Sequence, residues 1–249
     1  MQPLLGTVWL GRSWRHLSSC GSTNDEAAAW ALAGAPHGAV VVADHQERGR
    51  GRQGRVWHSE SADSLYFSTV LRPPLVPMQV PPLTLCAGVA VAEALARFEV
   101  TPSLKWPNDL LIDGKKIAGI LTEMSAADPR GRVDHVILGI GVNLNTETWP
   151  PELGELATSL RQARGGRSVD RAIFAATLCE RLEHWYDRFI SDGPSAVSQG
   201  WRRFAAFFGR RVRAGALEGV AESLDDDGAL VLRLDDGQAR RITSGEVHL

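Results

Sequence analysis

The sequence predicts an α+β fold, a mixed and mostly antiparallel sheet packed with helices, followed by a small C-terminal β-barrel. Three observations carry that expectation. Strand-like apolar runs outnumber helical ones over the first 206 residues. Asp113-Gly114 sits between two such runs as a two-residue hairpin signal, which makes its flanking strands antiparallel neighbours. Beyond Val212, short strands alternate with turns at Asp226-Asp227-Gly228 and Asp235-Asp236-Gly237, the pattern of a small barrel. The change of character falls near Phe207 and divides the chain into domains over 1–206 and 207–249.

Taken in order, Thr23-Asn24-Asp25-Glu26 reads as a capping box, with Thr23 as N-cap and Glu26 reaching back, ahead of an alanine-rich helix to Ala33. Residues 40–43 form a buried strand. Residues 64–71 form the next, ended by Pro73-Pro74, which cannot donate to a ladder. The stretch 84–98 is apolar on nearly every side, so it predicts a helix in the interior. A short strand over 104–106 stops at Pro107. Residues 110–112 and 116–124 flank the hairpin turn, and 133–144 is a further strand. Phe174, Leu178, Leu182, Trp185 and Phe189 recur at helical spacing and predict a long amphipathic helix over 168–190.

Composition narrows the class. A chain of 249 residues with 44% hydrophobic and 22% charged content can bury a proper core. A net charge of −2 supplies no global field toward nucleic acid. Cys20, Cys86 and Cys179 lie far apart without C-x-x-C spacing, which suggests neither a disulfide framework nor a zinc site, and a reducing, cytoplasmic setting is expected. Leu17-Ser18-Ser19-Cys20 has the look of a lipoprotein cleavage box. Arg12, Arg15 and His16 break the apolar stretch that such a signal needs. No run approaches the roughly 18 apolar residues of a membrane span, so no membrane is expected.

Positive charge is local. Arg48, Arg50, Arg52 and Arg55 fall within eight residues, spaced by Gly49, Gly51 and Gly54 and leading to Trp57. An RNA-binding tract of this composition would repeat within a polar tail, whereas this one occurs once between apolar strands. A plain solvated loop would not need three glycines, each conformationally costly without a backbone task. A loop that covers an anionic, partly aromatic small molecule fits better, since arginine forks match carboxylate and phosphate. Gly139-Ile140-Gly141-Val142-Asn143 fails as a dinucleotide fingerprint because Leu144 stands at the third glycine position. Its glycines let a ligand lie flat against a sheet, or mark a tightly packed core strand, and the sequence leaves both open.

Four motifs occur in order: Ser22-Thr23-Asn24; Gln46 with Gly49-Arg50-Gly51-Arg52-x-Gly54-Arg55-x-Trp57; Lys105-Trp106-Pro107-Asn108-Asp109; and Lys116-x-Ala118-Gly119-Ile120-Leu121. Together they resemble biotin–protein ligases, over about residues 18–145. The resemblance implies a class II synthetase-like catalytic domain that binds biotin and ATP, closed by an SH3-like barrel. It implies activation of biotin to biotinyl-5′-AMP and transfer to a lysine of a carboxylase's biotin acceptor domain. Lys116 and Arg52 would then be catalytic. Ser22, Thr23, Asn24, Gln46, Arg50, Gly51, Arg52 and Lys116 would contact biotin. Arg52, Arg55, Trp57, Asn108 and Asn143 would contact ATP, with Trp57 stacked on adenine, and Asp109 would help to hold Mg²⁺. Arg48 stands where the family commonly has a small residue. Only about 20 residues precede the first motif, so no helix-turn-helix domain, no DNA binding and no repressor function are expected. The family's sheet edge can mediate a homodimer, and the sequence decides neither way. A lipoate–protein ligase is the nearest enzymatic alternative, and an RNA-binding module the non-enzymatic one.

Overall fold

The computed structural model describes residues 4–59 and 62–248. Its first domain runs β1 (Trp14–Leu17), α1 (Thr23–Leu32), β2 (Ala39–Ala43), β3 (Leu65–Leu71), α2 (Pro82–Ala96), β4 (Ser103–Lys105), β5 (Asp109–Ile112), β6 (Lys115–Met124), β7 (Val136–Val142), α3 (Leu160–Ala163), α4 (Arg171–Asp192) and α5 (Pro194–Phe204). The strands form one seven-stranded sheet ordered β1-β2-β3-β7-β6-β5-β4. Only β1 and β2 run parallel; every other pair is antiparallel. The β5–β6 hairpin turns at Asp113 and Gly114, whose φ angles of +49° and +78° are those of the primed turn that matches strand twist.

Because side chains alternate across a sheet, the two faces carry different chemistry. One face presents Phe67, Ile120, Leu138, Ile140 and Val142 to the interior, where α2, α4 and α5 pack. There the fully buried Trp201 spends its one polar group on the Leu85 carbonyl at 2.8 Å. Each such large side chain contributes about 1.5–3 kcal/mol of burial. The opposite face is covered at one end by α1 through a small cluster of Ala27, Ala31, Val41, Val70 and Ile137. Beyond α1 this face carries Ser68, Gly139 and Leu121 in one cross-strand row, and Tyr66, Gly141 and Gly119 in the next. A row nearly bare of side chains leaves the sheet open to whatever settles on it.

The second unit is β8 (Arg211–Ala214), β9 (Leu217–Leu224), β10 (Leu230–Arg233), β11 (Ala239–Ile242) and β12 (Val247–His248), an antiparallel sheet ordered β11-β10-β9-β8-β12. It meets the first domain where Trp106 Nε1 donates to the Gly228 carbonyl at 3.0 Å. A second contact joins Arg55 of the arginine loop to Glu246.

Two sequence expectations are corrected, and one strand that the sequence did not announce is added. The capping box does not form: the N-cap of α1 is Ser22, and no side chain caps it. Thr23 instead gives its backbone N–H and hydroxyl to Gln46 Oε1, at 2.9 and 3.1 Å, so a distant amide does the cap's work. The edge strand β1 went unread, being short and half polar, as edge strands often are. Finally, 77–96 is long and apolar enough to pass for a membrane span, with mean hydropathy 1.4. It is 72% buried inside the protein, as befits a helix wedged between a sheet and two further helices.

Candidate active site

Ser22, Thr23, Asn24, Gln46, Arg50, Gly51, Arg52, Arg55, Trp57, Asn108, Asp109 and Lys116 all line one cleft over the bare rows of the sheet. Asn143 does not reach it. That side chain is buried and donates to the Thr158 carbonyl at 3.0 Å, fastening the end of β7 beside the strand that bears Lys116.

The arginine loop is itself a small hairpin. Arg50 bridges Val56, and the Trp57 N–H donates to the Gly49 carbonyl at 2.9 Å. The tip turns through Gln53 at φ +57° and Gly54 at φ +74°, which is why glycine is needed there. Gly51 is extended and has ordinary space around it, so the backbone task expected of it is not visible in its geometry.

The glycines of β7 have occupants from the protein. A Cβ on Gly139 would collide with the Asn24 amide. On Gly141 it would lie 2.5 Å from the Trp57 indole, which also covers Gly119. Those residues are small because α1 and the loop lay Asn24 and Trp57 onto the sheet. Any ligand therefore packs against Asn24 and Trp57 as well as the strand. Trp57 Nε1 is buried and has no hydrogen-bond partner among the described residues, and its ring stands 5.5 Å from Lys116 Nζ.

One end of the cleft is neutral, polar and closely knit. Gln46 Oε1 accepts from Thr23, and Gln46 Nε2 donates to Ser59 Oγ at 3.0 Å. The buried Ser68 hydroxyl stands 2.8 Å from Thr23 Oγ1 and 2.6 Å from Asn24 Oδ1. Asn24 Nδ2 donates to Glu123 Oε2 at 2.6 Å. Sequence reasoning missed Ser59, Ser68 and Glu123. Only the alternation of β3 and β6, together with their register against β7, could have placed the last two on this face.

The other end is cationic, and most of its charge is already paired. Lys116 Nζ lies 2.6 Å from Asp109 Oδ1, and Arg55 pairs with Glu246. Arg50 lies nearer the Asn24 end, clasped by Asp25 through two bonds of 2.7 Å and touching Glu123 at 3.3 Å. Hydrogen bonding from Arg50 holds the Asp25 carboxyl below its ordinary value of 3.8. Burial pushes the Glu246 carboxyl up, but its bond to Arg55 and the positive charge around it together bring the net shift down. Arg52 differs. Among the described residues it pairs with no carboxylate; its Nη1 donates to Asn108 Oδ1 at 3.2 Å, and Asn108 Nδ2 is fixed on the Ile120 carbonyl at 2.9 Å. Arg52 thus offers the cleft an uncommitted positive charge.

Asp109, the expected magnesium ligand, is paired with Lys116. Among the described residues, Asp109 and Glu246 are the carboxylates lining the cleft, and both are ion-paired. No group of three His, Cys, Asp or Glu residues able to hold a metal occurs among the described residues. All three cysteines are free and buried. Burial and the nearby Glu26, Asp25 and Glu47 push the Cys20 thiol up to about 11.

This combination, a glycine-floored cleft with a neutral polar end, a cationic end and an arginine-loop lid, defines a small-molecule ligase site on a mixed sheet. The chain belongs to the biotin/lipoate A/B protein ligase family, whose model matches residues 18–143. The biotin protein ligase C-terminal domain matches residues 207–249. A bifunctional ligase/repressor BirA from Bacillus subtilis is 38% identical over 98% of this chain and 76% of its own length. A biotin–[acetyl-CoA-carboxylase] ligase from Mycobacterium tuberculosis is 35% identical, covering 96% of this chain and 91% of that one. The structure of biotin protein ligase from Aquifex aeolicus in complex with biotin and ATP superimposes with a TM-score of 0.82. It is 30% identical, covering 95% of this chain and 98% of that one.

Proposed function

We propose that this protein activates biotin with ATP and transfers it to a lysine of a carboxylase's biotin acceptor domain. The observation that carries the reading is the polarity of the cleft. Closely knit neutral donors and acceptors at Thr23, Asn24 and Gln46 face one way, and the charges of Lys116 and Arg52 face the other. Biotin has that shape: a neutral ureido head with donors and acceptors, and an anionic tail.

Two half-reactions follow. A carboxylate oxygen of biotin attacks the α-phosphorus of ATP, and the bond to pyrophosphate breaks. The acceptor amine then attacks the acyl carbon of biotinyl-5′-AMP, loses a proton, and AMP leaves. The first step forces two anions together. Lys116 and Arg52 stabilise the charge shared between them, at about 3–4 kcal/mol per aimed group. Lys116 reaches this position by exchanging Asp109 for substrate. Trp57 supplies a face for adenine, and Asn108 orients Arg52. Asp109 would be the residue to hold a Mg²⁺ ion, which would offset phosphate charge. The closed loop keeps water from the mixed anhydride.

The test is transfer of labelled biotin to a carboxyl carrier domain with and without ATP, beside pyrophosphate release with biotin or lipoate. ATP-dependent labelling with biotin alone is expected. Lipoate-dependent release without a biotin signal would replace this reading with the lipoate one.

A further inference from the structure

Glu123 belongs to none of the four motifs, yet it touches both the start of α1 and the arginine loop. It lies on β6 in the row beyond Leu121, pairing with Ile137, and so points to the face that carries the site. Its Oε2 accepts from Asn24 Nδ2 at 2.6 Å, and its two oxygens lie 3.3 and 3.4 Å from Arg50 Nη2.

An ionised carboxylate only accepts hydrogen bonds, so it selects the NH₂ edge of Asn24 and turns Oδ1 toward Ser68. Without it the amide has two orientations of similar size. The carboxylate is not needed simply to neutralise Arg50, which Asp25 already binds through two 2.7 Å bonds. Nor is it a stability element of note, since its side chain is 42% exposed and such ion pairs contribute little. Asp25 already ties α1 to Arg50; what Glu123 adds is one carboxylate shared between the Asn24 amide and Arg50.

We infer that Glu123 is a positioning residue for biotin recognition: it fixes the Asn24 amide in one orientation and registers Arg50, hence the loop, against it. The inference rests on the proposed placement of the biotin ring beside Asn24. Substrate need not touch Glu123 for this to operate. Two consequences separate. Fixing Asn24 sets affinity for biotin, whereas tethering Arg50 sets how long the loop stays closed over biotinyl-5′-AMP.

Two substitutions resolve these consequences. Glu123→Ala removes both contacts and is expected to raise the KM for biotin about tenfold while leaving the KM for ATP within about twofold. Glu123→Gln keeps an acceptor for Asn24 but loses the charge facing Arg50. It is expected to keep the KM for biotin within about threefold of wild type and to speed release of biotinyl-5′-AMP. In the Asn24→Ala background, adding Glu123→Ala should change the KM for biotin little further, because both substitutions break one contact. Equal rises in both KM values, an additive double variant, or wild-type KM and release in both variants would overturn the inference. Thermal melting guards the alanine variant, and if it fails to fold the glutamine variant decides on release alone. A wild-type KM for biotin in Asn24→Ala would instead defeat the placement of biotin, and the inference with it. A response to Asn24→Ala with none to Glu123 defeats the inference alone.

Discussion

The two ends of the cleft are held together by different physics. At the Thr23–Gln46 end, Ser68 is fully buried and Thr23 and Asn24 nearly so, and their contacts are short hydrogen bonds among uncharged side chains, with Asn24 also bonded to the Glu123 carboxylate. Such groups are costly to leave unpaired, so this end is set before substrate arrives. At the Lys116–Arg52 end Lys116 and Arg55 sit in ion pairs of partly exposed side chains, and Arg52 in a hydrogen bond to Asn108. Exposed pairs contribute about 0–1 kcal/mol each, so they break readily in favour of a substrate anion. Recognition is preorganised, and charge is held in reserve.

The sharpest way to break this contrast is to remove the reserve. Lys116→Ala is expected to lower biotin-dependent pyrophosphate release by on the order of 10²–10³-fold, with an unchanged melting temperature. Normal release in that variant would refute the assignment. Arg52→Gly should retain some adenylation but release biotinyl-5′-AMP into solution, read as free adenylate accumulating faster than in wild type.

A second set sharpens the contrast at the floor and the lid. Gly141→Ala puts a methyl against the Trp57 indole and should raise the KM for ATP about tenfold or more by displacing the ring. An unchanged KM would mean that Trp57 does not serve the nucleotide. Glu246→Ala frees Arg55 from the C-terminal domain and should change kcat/KM by no more than about fivefold, with the difference shrinking as salt is raised.

The smallest effect concerns pH. Arg50 depresses the folded-state pKa of Asp25, so that contact contributes stability above the ordinary 3.8 and loses it as pH falls through the lower folded value. Loop order, followed by Trp57 fluorescence, should therefore be flat between about pH 5 and pH 8 and change only in acid. A transition near neutrality would show that another group controls the loop.

Much of this was legible in the chain. The spacing of glycine and arginine announced the loop, Asp113-Gly114 fixed the hairpin, and apolar runs located the central strands within a few residues. What escaped depends on register rather than on local pattern. Ser68 and Glu123 enter the site only because β3 and β6 pair with β7 at one particular offset. Gly139 and Gly141 could be read as ligand-facing or core positions; which side chains lie over them depends on where α1 and the loop come to rest. The pairing of Arg55 with Glu246 spans 191 residues of chain and leaves no local trace. Asn143 carried a suggestive motif and turned out to brace a strand.

The most direct measurement is a crystal structure with biotin and a non-hydrolysable ATP analogue bound together. Lys116 Nζ should have left Asp109 and should stand about 3 Å from both the biotin carboxylate and the α-phosphate, with Arg52 on the same groups and the ureido ring against Thr23 and Gln46. A biotin carboxylate seated away from Lys116 and Arg52, with the Lys116–Asp109 pair intact, would contradict the account.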